Sequence, residues 1–159
     1  MRLFLSTLAL VLCCSTAGAQ GSNAGLASSS DAARAGTLKT VQGVVTVTNA
    51  QGLHPVHSGD PVAEADRLVT GVDSAASVVM RDGTTLVLGP NSQLDITSFA
   101  FNGTTQKGNM FISLLRGSLR MVTGLVGKGN PDAVKITTPT SVIGVLGTDF
   151  LVRADEGRP

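Results

Sequence analysis

The chain contains no tryptophan and no tyrosine, and five phenylalanines are its whole aromatic complement. A sugar-binding platform rests on exposed aromatic faces, so this composition argues against a lectin. Cysteine occurs only as Cys13 and Cys14. The rest of the chain therefore has no thiol for a disulfide, a thiolate metal site or a nucleophile. Charge of one sign is equally lacking, with a formal net charge of +1. No basic stripe exists to release counterions from nucleic acid, and no basic amphipathic helix exists to lie on anionic lipid. The apolar stretch Leu3–Leu12 falls short of the roughly 20 residues that a membrane-spanning helix needs.

That stretch has another reading. Arg2 supplies a short basic start, and Ala17-Gly18-Ala19 ends the segment with small residues at the spacing of a signal-peptidase site. Residues 1–19 are expected to be a signal peptide cleaved after Ala19, with the product periplasmic or secreted. Lipidation at Cys13 or Cys14 is the competing outcome, but Leu12 and Cys13 stand where a lipoprotein signal wants a small residue. Removing residues 1–19 takes away both cysteines and Arg2, leaving acidic and basic side chains in balance. Gln20–Gly36 is small and polar with a single Leu, and reads as a flexible lead-in.

From Thr37 to Val152 the chain is punctuated by turns. Short apolar runs such as Ser77–Met80, Leu86–Leu88, Leu94–Ile96, Met110–Leu115, Leu119–Val122 and Val134–Thr137 are separated by Gly, Pro, Asn and Asp at intervals too short for helices. The expectation is one all-β domain, a β-roll or β-sandwich of short strands, followed by a tail over residues 153–159. Leu94 and Ile96 alternate with polar neighbours, but the next apolar residues, Phe99 and Phe101, have the opposite parity. A bend or bulge near Thr97–Ser98 would let both pairs face the core. Asn102-Gly103 predicts a tight turn, a simpler account than a glycosylation acceptor. Arg67-Leu68-Val69-Thr70-Gly71 returns as Arg120-Met121-Val122-Thr123-Gly124, which suggests two strands ending in similar turns rather than a repeat array.

Catalytic chemistry has few candidates. His54 and His57 are the only histidines. An offset of three places them on opposite faces of a strand, and Pro55 hinders a helical turn that would reunite them. Asp60 or Glu64 would have to complete a zinc site. Gly124-Leu125-Val126-Gly127-Lys128-Gly129 resembles a phosphate loop but has the wrong glycine spacing and no Ser or Thr after Lys128. It reads instead as a hairpin loop. Asp60, Asp66, Asp73, Asp82 and Asp149 adjoin turn residues or a strand start, where carboxylates cap backbone amides. No G-x-S-x-G elbow or calcium loop occurs. No catalytic, metal or cofactor-binding residue is assigned.

The stretch Thr137-Thr138-Pro139-Thr140-Ser141-Val142-Ile143-Gly144-Val145-Leu146-Gly147-Thr148-Asp149-Phe150 is more particular. With Gly59-Asp60, Thr70-Gly71 and Asp82-Gly83-Thr84 upstream, it resembles the signature of the FecR-type periplasmic domain. The resemblance implies a non-enzymatic, exported module for protein interaction or ligand sensing in cell-envelope signalling. Its implied partner is another envelope protein, a sensor or one linked to a transporter. A structural or surface-associated β-module is the alternative. The cytoplasmic segment and transmembrane helix of the full regulators have no counterpart in this reading. Leu146 stands where similar sequences often carry Arg, which puts any contact made by that Arg in doubt. Within the signature, Val142, Ile143, Val145 and Phe150 are expected to enter the core.

Overall fold

In a computed structural model the described residues are 34–145 and 149–155. The expected signal peptide, Cys13, Cys14 and Leu146 lie outside them. The described strands in chain order are β1 (Arg34–Gln42), β2 (Val45–Asn49), β3 (Gly52–Pro55), β4 (Pro61–Ala63), β5 (Arg67–Thr70), β6 (Ala75–Met80), β7 (Thr85–Leu88), β8 (Gln93–Asn102), β9 (Lys107–Val122), β10 (Val134–Thr137), β11 (Val142–Gly144) and β12 (Asp149–Ala154). The expected all-β architecture is the one observed. β1 begins at Arg34, with Ala35 buried, so residues 34–36 belong to the sheet and not to a lead-in. At the other end Arg153 and Ala154 belong to β12 and not to a tail.

The strands form one curled sheet that β9 divides into two faces. The first has the order β4-β1-β6-β7-β9-β12, all antiparallel. The second has the order β3-β2-β5-β8-β9-β10-β11, with only β9 and β10 parallel. The 107–116 half of β9 pairs with β8, and the 117–122 half pairs with β12. The two runs Met110–Leu115 and Leu119–Val122 are therefore one strand, not two. Their buried parity explains the break between them: Met110, Ile112 and Leu114 point inward in the first half, but Leu119 and Met121 in the second. A register shift opposite Gln93/Leu94 and a φ of +89° at Gly117 turn the strand over between them.

A second bulge lies where the parity of β8 predicts it. The register with β9 shifts between Ile96 and Ser98, which leaves Ile96 and Phe99 both buried and Phe101 packed at the margin. The β8–β9 connection is longer than a two-residue turn: residues 103–106 form it, and Asn102 Oδ1 accepts from the N–H groups of Thr104 and Thr105 at 3.0 Å each. The left-handed position falls on Gln106, with φ +56°. The core joins both faces and the first and last described strands, from Leu38 of β1 to Val152 of β12. Each fully buried aliphatic side chain in it contributes about 1.5–3 kcal/mol relative to exposure.

Candidate functional site

The acidic side chains show first what this surface does not offer. Asp60 accepts from His57 N–H at 2.7 Å, and Asp66 accepts from Ala63 N–H at 2.7 Å. Asp82 accepts from Thr84 N–H at 3.0 Å, from the Thr84 hydroxyl at 2.7 Å and from Val126 N–H at 3.4 Å. Asp73 occupies a left-handed position with φ +53°. These four serve turns, as the sequence suggests. Asp149 does not: it lies in β12 and forms a two-pronged ion pair with Arg120, at 3.0 and 2.6 Å. Arg67 pairs with Asp95 in the same way, at 2.6 and 2.7 Å. The two copies of the R-x-V-T-G pattern thus share more than a turn. Each presents an Arg outward to a carboxylate on a nearby strand and buries its second and fourth residues.

Hydrogen bonds from Arg120 hold the Asp149 carboxyl below the usual carboxylate range, and the guanidinium charge acts in the same direction. A depressed folded pKa stabilises the fold above the unfolded pKa and loses that effect as pH falls through the folded one. The pair is expected to be complete at neutral pH and lost only in acid. A carboxyl-carbon NMR titration should place Asp149 below an ordinary Asp, and Arg120→Gln should return it upward. An Asp149 midpoint unchanged by that substitution would show that the pair does not set it.

His54 lies on the exposed strand β3, and His57 is an exposed residue 3.9 Å from Asp60. Among the described residues, no group of three or more His, Cys, Asp or Glu could hold a metal ion. The glycine-rich segment is not the expected hairpin loop but a short helix, α1 (Leu125–Gly129). Its first amides are already used: Leu125 N–H donates to the Asp82 carbonyl at 2.9 Å, and Val126 N–H to the Asp82 carboxylate. Gly124 is required because a side chain there would run into the backbone of Asp82–Thr84.

Of several grooves on the described surface, two lie between edge strands. The first lies between edge strands β3 and β4 and encloses about 590 Å³. Its floor includes buried Val56 and Val62, and its rim includes His54, Asp60 and Glu64. Leu53, on the adjoining edge, is 70% exposed. The second groove, about 460 Å³, runs between β11 and β12 and is lined by Ile143, Val145, Phe150 and Val152. It cuts through the signature stretch. Val145 is buried, Ile143 and Phe150 are half-buried, and Val142 is 72% exposed. Val142 therefore does not enter the core: β11 pairs only with β10, and its alternation sends this side chain outward. Sequence reasoning missed both grooves, since edges are a property of strand order. Pro55 and Pro61, residues that suit edge strands, were the available signal for the first.

The FecR protein family matches residues 66–159, more than half of the chain, so the chain belongs to the FecR family. The match begins at Asp66, after the Gly59-Asp60 turn, and includes β5–β12. No curated protein and no solved structure matches significantly. The FecR family is one of cell-envelope signalling. Among the described residues, no helix is long and apolar enough to cross a membrane.

Proposed function

With FecR membership as the premise, we propose that this chain is an exported, non-catalytic protein-binding module of envelope signalling that engages another envelope protein at the β3–β4 groove. The groove itself carries the reading. An apolar floor at Val56 and Val62 inside a polar rim of His54, Asp60 and Glu64 matches surfaces that bury an apolar anchor inside a polar ring. The nearby acids support binding over catalysis, because Asp60 and Asp66 are committed to backbone amides. Export rests on the Ala17-Gly18-Ala19 pattern, with the mature chain starting at Gln20.

A photo-crosslinking residue introduced at His54, on the groove rim, tests the assignment in the native cell. The expected product is a defined adduct with a different envelope protein, abolished by a charge at Val62's groove neighbour Ala63. Adducts confined to copies of the chain itself would replace this reading with that of a structural surface module.

A further inference from the structure

Among the described residues the four edge strands are not alike. β3 ends in Pro55, β4 begins with Pro61, and β11 has three residues. Proline and brevity both blunt an edge against pairing. β12 has neither protection: it runs six residues without proline. Its inner face carries Phe150, Val152 and Ala154, and its solvent face carries Asp149, Leu151 and Arg153. Leu151 is 65% exposed.

The backbone groups of β12 follow from those of β9. Gly89 N–H donates to the Ser118 carbonyl at 3.0 Å, so Ser118 directs its backbone groups toward the β7 side. Alternation then directs Leu119 and Met121 toward their partners Val152 and Phe150. The N–H and C=O groups of Asp149, Leu151 and Arg153 are left on the outer edge. Among the described residues no strand pairs with that edge.

We propose that β12 pairs antiparallel with β12 of a second copy, about a two-fold axis through Leu151. In this register Leu151 opposes Leu151 of the other copy, and each Asp149 opposes the other copy's Arg153. Every outward N–H and C=O of these three residues meets an outward partner. Asp149 keeps Arg120 and gains a second guanidinium, for which a carboxylate has acceptor sites to spare. Moving the axis to Val152 would instead oppose Asp149 to Asp155 and Leu151 to Arg153, so charge selects the Leu151 axis.

Strand order identifies the same occupant. Beyond β9 the second face continues with β10 and β11, but the first continues with β12 alone. A second copy's β12 adds the strand that the first face lacks on this side. It also covers the groove and its half-buried Ile143 and Phe150. Because His54 and Leu151 lie at different grooves, partner binding and self-pairing are separable.

Sedimentation of the purified protein over a concentration series should show a monomer–dimer equilibrium. Leu151→Lys, at an exposed position that leaves the fold intact, should weaken the dimer by roughly tenfold or more by opposing like charges across the axis. In the chain starting at Gln20, which holds no other cysteine, Leu151→Cys should oxidise to a disulfide-linked dimer. Leu53→Cys, 70% exposed on β3 and separated from β9 by β2, β5 and β8, should not. A monomer at every concentration, a dimer indifferent to Leu151→Lys, or equal crosslinking of the two Cys variants would overturn the proposal.

Discussion

Gly117→Ala is expected to destabilise the fold by about 2–4 kcal/mol, because a strained φ and an overpacked contact act at one residue. Gly117 has φ +89°, and a Cβ there would press on both the backbone and the side chain of Ser92. Ser92 cannot easily give way. Its hydroxyl bonds the Ser118 N–H at 3.0 Å and its N–H donates to the Thr70 hydroxyl at 2.9 Å. Urea unfolding of the variant should show a lower midpoint with an unchanged slope, the mark of altered stability rather than altered compactness. Gly103→Ala makes the contrast, since a Cβ there meets nothing within 4 Å and its φ is not positive. Equal midpoints for the two variants would mean that the Gly117 bend is not needed.

Asp82→Ala should have an effect of comparable size, about 2–4 kcal/mol, because removing a buried acceptor leaves several interior donors unsatisfied. Both Asp82 and Thr84 are buried. Without the carboxylate, the Thr84 and Val126 amides and the Thr84 hydroxyl lose their acceptor. The hydroxyl in turn accepts from Gly124 N–H at 2.9 Å. The loss therefore spreads from the β6–β7 turn to the start of α1. Asp82→Asn should recover part of it, because the amide oxygen can still accept. A melting temperature for Asp82→Ala within a degree or two of wild type would show the network to be dispensable.

These two sites mark where sequence was readable. Asp82-Gly83-Thr84 was legible as a turn because Asp and Gly have a local reason to be there; that it also anchors α1, some forty residues later, was not. The bulge in β8 was legible because the inward parity of Leu94 and Ile96 is overturned by Phe99. The same argument applied to Leu114 and Leu119 would have revealed the turn-over of β9, but the intervening Gly117 looks like an ordinary boundary between strands. β1 escaped notice because its register slips between Leu38 and Thr40, and β3 because it is exposed throughout. Val142 was placed inside on residue type alone. Its exposure depends on β11 lying at an edge, and strand order is written in long-range pairing, not in local pattern.

The division of β9 between two faces also bears on how the chain assembles. Its first neighbour, β8, is joined to it by a four-residue connection and needs little loop closure. β10 and β12 must return from farther along the chain, and β7 reaches β9 across the whole of β8. Of the pairings that β9 makes, β8–β9 is thus the most local. Since both faces share that one strand, whatever unseats β9 opens both at once.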